Sequence, residues 1–110
     1  MPYLLDKCAP MIVIAGSAPF NPDMRDAIVA ASTTMRAATR AEPGNLEYRF
    51  SFAMDDPNTF MIHEEWIDQA SIDEHFATSH MAEFTATLGS ALTGAPDFWK
   101  FAVTEKVSLF

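Results

Sequence analysis

Residues Leu46 to Ile67 read L-E-Y-R-F-S-F-A-M-D-D-P-N-T-F-M-I-H-E-E-W-I, and this stretch decides the fold. Successive side chains of a strand point to opposite faces, so residues two apart share a face. Leu46, Tyr48, Phe50 and Phe52 point one way; Glu47, Arg49 and Ser51 point the other. That period of two predicts a strand over Leu46 to Met54. Asp55-Asp56-Pro57-Asn58 supplies the residues that make turns. From Thr59 to Ile67, Phe60, Ile62, Glu64 and Trp66 share one face, and Met61, His63, Glu65 and Ile67 the other. Two strands joined by so short a turn form an antiparallel hairpin.

Moving toward the N-terminus, Glu42-Pro43-Gly44 stops a helix, because proline cannot continue it and glycine tolerates the turn. Met24, Ile28, Ala31, Met35 and Ala38 recur at steps of four and three, which puts them on one helical face. Asn21-Pro22-Asp23 opens this helix with a capping side chain, a proline suited to the first turn and an acid at the positive end of the dipole. Before it, Met11 to Ala18 is a short apolar run, too short for a core helix, and reads as a buried strand ended by Pro19 and Pro22. Residues 1–10 read as a loose extension, without the basic start and long apolar stretch of a signal peptide. Its Cys8 has no second cysteine to pair with.

Moving toward the C-terminus, Asp68 caps a short helix with Ile72 and Phe76 on its inner side. Ser79 is expected to cap a second helix, whose apolar stripe is Met81, Phe84 and Leu88. Thr93-Gly94-Ala95-Pro96 closes it, and a last strand is expected over Phe98 to Val107. On that strand Trp99, Phe101 and Val103 face one way, and Lys100, Ala102 and Thr104 the other.

The order is strand, helix, strand, strand, helix, strand. Residues 11–110 are thus expected to form a single α+β domain of ferredoxin-like type, one antiparallel sheet with helices on one face. No element remains to cover the other face, which carries Trp99, Phe101 and Val103. An antiparallel sheet tolerates water on one side only if that side is polar. A second copy of the chain is the simplest cover, so a homodimer is expected.

Seven basic residues stand against fifteen acidic ones, a net charge of −8. Such a surface repels phosphate backbones and anionic lipid, which argues against nucleic acid and membrane partners. No apolar run reaches the length of a membrane span, and a lone cysteine suits a reducing cytoplasm. No G-x-G-x-x-G, phosphate-binding loop, C-x-x-C or G-x-S-x-G is present, so no nucleotide cofactor or serine hydrolase is indicated.

Several side chains have the chemistry of a site. Tyr48 and Trp66 on the hairpin are core residues or walls for an aromatic ligand. Glu64 shares a face with Phe60, Ile62 and Trp66, so it is either paired, with Arg49 or Lys100 in reach, or a base with a raised pKa. His75 and His80 are surface or capping residues, or proton shuttles at the edge of a pocket. Their spacing of five departs from the three or four that metal ligands on one helix prefer; a break around Thr78-Ser79 could still bring the pair together, but no third ligand is obvious, so no metal site is expected.

Three stretches resemble the antibiotic biosynthesis monooxygenase family: T-R-A-E-P-G-N-L-E-Y-R-F from Thr39 to Phe50, F-M-I-H-E-E-W from Phe60 to Trp66, and D-E-H-F-A-T-S-H-M-A-E-F from Asp73 to Phe84. With the element order, the likeness spans about Met11 to Val107. It implies a dimeric α+β barrel. It further implies oxidation of a phenolic or quinol-type aromatic substrate by molecular oxygen without any cofactor. On that basis His75 and His80 are the expected proton-handling residues, and Tyr48, Trp66, Glu64 and Phe84 the expected substrate contacts. A dimeric barrel that only binds a small apolar ligand, or serves in a stress response, is the alternative. Haem-degrading relatives use an Asn, a Trp and a His. Here His75 takes the Trp position, Thr85 falls near the His position, and the first strand has no Asn, so haem degradation is disfavoured. Relatives that process phosphorylated sugars need basic residues that this chain has few of.

Overall fold

The computed structural model describes residues 10–110. The expectations for Cys8 and for the extension up to residue 9 lie outside the described residues. The described elements are β1 (Met11–Pro19), α1 (Arg25–Arg40), β2 (Asn45–Phe52), β3 (Thr59–Trp66), α2 (Gln69–Phe76), α3 (Ser79–Ala91) and β4 (Asp97–Val103). The four strands form one sheet in the order β2-β3-β1-β4, with every pair antiparallel. This is the ferredoxin-like α+β arrangement.

Register fixes the faces. Ile12, Ile14, Gly16 and Ala18 of β1 lie opposite Trp66, Glu64, Ile62 and Phe60 of β3. Tyr48, Phe50 and Phe52 of β2 extend the same row on the other side of β3. This inner face is covered by the helices and holds the core, with Trp66, Phe60, Tyr48, Ile28, Met35 and Ile72 all buried. At Gly16 a side chain would collide with the carbonyl of Asp97, so only glycine lets β4 approach β1 there.

The start of α1 follows its sequence signals. The Asn21 side chain accepts from the Asp23 amide at 3.0 Å, and Pro22 opens a single 3-10 turn that runs into the helix. The buried stripe is Ile28, Ser32, Met35 and Thr39. It is rotated from the expected apolar row because small polar side chains, not only alanines, fill the side closest to the sheet.

Several boundaries differ from expectation: β2 ends at Phe52, not Met54, and β3 at Trp66, not Ile67. The helix α3 is capped by Thr78, whose hydroxyl accepts from the Met81 amide at 3.2 Å, rather than by Ser79. The strand β4 stops at Val103, not Val107, because Val103 pairs with Met11, where β1 begins and the ladder ends. In β2 the alternation breaks at Leu46: Asn45 pairs with Trp66 and Glu47 with Glu65, so Leu46 is the extra residue of a bulge and Asn45 takes the buried place.

The outer face is bare of helices among the described residues. Trp99 is 63% exposed and Phe101 53%, and Met61 of β3 is exposed on the same face. No helix among the described residues is long and apolar enough to cross a membrane.

Candidate active site

Between the inner face and the two C-terminal helices lies a cavity of about 180 Å³. The sheet contributes Ile14, Tyr48, Phe50, Ile62, Glu64 and Phe98; the helices contribute Phe76, Met81, Phe84 and Leu88. Residues two apart on neighbouring strands build the floor, and the α3 stripe builds the roof, so the cavity follows from the two periodicities of the sequence. Aromatic rings dominate it. Phe50 stands edge-on to Tyr48 at 5.0 Å between centroids and lies 5.0 Å from Phe84.

Among the described residues lining this cavity, Glu64 is the only carboxylate. It is 7% exposed and accepts a hydrogen bond from the Trp66 indole N–H at 3.0 Å. Burial pushes its pKa up to about 7; the Trp66 bond pulls the other way, and the Glu42 carboxylate adds repulsion. Neither expected basic partner reaches it. Arg49 pairs with His63 on the opposite face and its guanidinium lies 3.5 Å from Glu47, while Lys100 donates to the Gln69 amide oxygen at 2.9 Å. Tyr48 is buried beside Glu64, and burial first, then the two carboxylates, raises its pKa, so the phenol stays neutral.

Behind this wall sits a second cluster. His75 is 1% exposed, its ring centroid 4.7 Å from Trp66 and 5.4 Å from Tyr48. Its Nδ1 lies 2.7 Å from Glu42 Oε2, and His80 Nε2 lies 2.9 Å from the same oxygen. A carboxylate oxygen only accepts, so both imidazole nitrogens carry the shared protons. Burial lowers the His75 pKa against the opposing pull of Glu42, which keeps this ring neutral. His75 Nε2 is buried and has no hydrogen-bond partner among the described residues.

Three elements converge to make this cluster. Glu42 follows α1 in a tight turn, its amide bonded to the Thr39 carbonyl at 2.9 Å and its carbonyl to the Asn45 amide at 3.1 Å. His75 lies in the last turn of α2 and His80 in the first turn of α3. The break between the helices is held by Thr78, which donates to the His75 carbonyl at 2.7 Å while capping α3.

The structure therefore brings Tyr48, Glu64 and Phe84 to the cavity. Trp66 is fully buried and supports Glu64 from the same strand face. His75 and His80 are not among the lining residues; His80 instead faces a recess of about 300 Å³ with Glu83 and Phe84. Sequence reasoning missed Glu42, Ile14, Phe76 and Phe98 as part of these sites. Glu42 lay inside the first family-like stretch, but read as helix-stopping punctuation with Pro43 and Gly44. Phe98 was legible by parity with Lys100, once β4 is known to border β1.

A four-stranded sheet of this order, helices on one face and an aromatic cavity between the layers, define a ferredoxin-like α+β protein with an internal apolar chamber. Comparison with known proteins places the chain more narrowly. Residues 11–87 match the family model described as antibiotic biosynthesis monooxygenase, and the chain belongs to that family. It is 30% identical over 98 residues to the uncharacterised protein sll1783 of Synechocystis, covering 89% of this chain and 67% of that one. It is 31% identical over 86 residues to YcnE of Bacillus subtilis, covering 78% and 90% respectively. The solved structure of Rv0793 from Mycobacterium tuberculosis superposes with a TM-score of 0.80 at 28% identity, covering 91% of this chain and all of that one. YcnE and Rv0793 are both described provisionally as monooxygenases.

Proposed function

We propose that this protein is a monooxygenase that oxidises a phenolic or quinol-type aromatic compound with molecular oxygen and without a cofactor. The observation that supports it is Glu64, a buried carboxylate with a pKa near neutrality and the only one among the described residues in the wall of an aromatic-lined cavity. A general base works best when its pKa lies close to the working pH. An apolar cavity of about 150 Å³ holds a benzene ring, so a chamber of about 180 Å³ with an open mouth suits a bicyclic ring.

In this reading Glu64 takes the proton of the substrate hydroxyl. The resulting anion is electron-rich and passes one electron to oxygen; the ring radical and superoxide then combine at a ring carbon that bears a hydrogen, and the peroxide takes the proton back from Glu64 to give a hydroperoxide. Loss of water from that hydroperoxide leaves a carbonyl, so one oxygen atom enters the product and the other leaves as water. The neutral Tyr48 hydroxyl supplies a hydrogen-bonding handle, and Phe50, Phe84 and Phe98 grip the ring and exclude water. Trp66 holds Glu64 in place. His75, braced by Glu42 and His80, fixes the Tyr48–Trp66 wall from behind.

The bare outer face completes the picture. Two copies joined through Trp99, Phe101 and Met61 form the barrel, and removing these side chains from water is the driving force.

The test is oxygen uptake with 1,4-naphthohydroquinone as substrate, measured against buffer. The wild type is expected to accelerate uptake, with a rate that rises with pH through about 7 as Glu64 ionises. Glu64→Gln is expected to lower the enzymatic rate by about a hundredfold or more. Uptake equal to the buffer control with this and related quinols would refute the assignment and leave a binding protein. Wild-type activity in Glu64→Gln would remove Glu64 from the mechanism.

A further inference from the structure

We propose that Glu42, His75 and His80 form a binding site for a divalent cation of the zinc type, separate from the aromatic cavity. Two imidazoles and one carboxylate are a donor set that zinc accepts, with a fourth position left to water. One donor atom from each residue lies within 4.8 Å of the other two. Glu42 Oε2 already gathers His75 Nδ1 at 2.7 Å and His80 Nε2 at 2.9 Å. Around a tetrahedral zinc with bonds near 2.1 Å, donor atoms stand roughly 3.4 Å apart. One ion can take the place of the two shared protons if the carboxylate oxygen draws slightly away from each nitrogen and each imidazole carries its proton on its other ring nitrogen.

The donors come from two places that the fold holds independently. Glu42 is fixed by the turn after α1, and both histidines are fixed by the Thr78-capped break between α2 and α3. That break is why a spacing of five works: each histidine belongs to its own helix. An entry path exists as well. His75 is sealed, but the side chains of His80 and Glu42 retain 24% and 16% exposure, and His80 lines the recess that Glu83 also borders. The net charge of −8 draws cations toward the surface. None of the three donors lines the cavity, so the site stands independently of the oxidation reading.

The experiment uses the untagged full chain, stripped with chelator and dialysed, and titrated with ZnCl2 by isothermal calorimetry. CoCl2 is added in parallel to follow visible d–d absorption. One Zn2+ per chain is expected to bind with a dissociation constant in the micromolar range or below, and Co2+ to develop visible bands. Glu42→Gln keeps the shape and the hydrogen-bond acceptor but weakens the ligand. His80→Ala removes a partly exposed donor with little risk to folding. Each is expected to weaken Zn2+ binding by about a hundredfold or more, while Asp26→Asn, at an exposed carboxylate on α1, leaves it unchanged. No saturable uptake of Zn2+ or Co2+ by the wild type at millimolar metal would overturn the proposal. So would an affinity undiminished in both variants, since the cluster is then a hydrogen-bonded triad only. The readout is metal binding itself, so failure here leaves the oxidation reading untouched, and loss of oxygen uptake leaves the metal result untouched.

Discussion

Replacing Glu64 by glutamine tests the electrostatics of the cavity without any substrate. Glutamine keeps the size of the side chain and an oxygen that still accepts from the Trp66 indole, so the only property removed is the ability to ionise. In the folded protein the Glu64 pKa is raised from 4.5 to about 7. Below pH 4.5 the carboxyl is neutral whether the chain is folded or not, and wild type and variant should be equally stable. As the pH rises from 4.5 to 7 the unfolded chain releases this proton and the folded chain keeps it, which favours unfolding. Above pH 7 both states are ionised and the loss is complete. At about 1.4 kcal/mol for each pH unit of pKa difference, the full effect is about 3 kcal/mol. The stability of the wild type relative to Glu64→Gln should therefore fall between about pH 4.5 and about pH 7 and level off above that. With a urea dependence of about 2 kcal/mol per molar, the variant's midpoint should exceed that of the wild type by about 1.5 M at pH 9. Urea unfolding followed by circular dichroism at pH 5, 6, 7, 8 and 9, at one protein concentration, measures this directly. A difference between the two proteins that stays constant across that range would refute the reasoning, because Glu64 would then have an ordinary pKa and no special fitness as a base.

Two further outcomes follow from the packing. Thr78→Ala removes the cap of α3 and the bond to the His75 carbonyl, and should cost about 1–2 kcal/mol in urea unfolding; Thr78→Ser, which keeps the hydroxyl, should recover most of it. Trp99→Asp combined with Phe101→Asp places two charges on the bare sheet face, and should convert a dimer to a monomer in sedimentation velocity. A wild type that is already monomeric at micromolar concentration would remove the proposed barrel.

The fold was legible because both of its periodicities are clean. Phe60, Ile62, Glu64 and Trp66 form a row that any hairpin must send to one face, and β3 does so at the centre of the sheet. Local exceptions were not legible, and each has a non-local cause. A strict period of two puts Leu46 with Tyr48, and only the pairing of both strands shows that one residue is looped out and Asn45 replaces it beside Trp66. The end of β4 depends on where β1 begins, ninety residues earlier in the chain. Choosing between Thr78 and Ser79 as a cap requires the path of the chain out of α2, since both have the needed hydroxyl.

The site was legible in composition more than in geometry. A carboxylate in an apolar row signals either a buried partner or a tuned base. The sequence offered Arg49 and Lys100 as partners, but Arg49 belongs to the opposite face and Lys100 is engaged by Gln69. What Glu64 receives is an indole N–H from two residues along its own strand, which keeps it in place without stabilising its charge enough to offset burial. A salt bridge would have lowered the pKa and abolished the base; a purely apolar surrounding would have left the carboxyl without a fixed direction. The same distinction separates the histidines. The sequence already places His75 and His80 on two short helices, but not the third member: the return of the chain at Glu42 is what turns them into two arms of a three-residue cluster across the break at Thr78. The proposed proton acceptance at the cavity and the proposed metal binding behind it thus rest on different carboxylates, Glu64 and Glu42. Substituting one should leave the function of the other measurable.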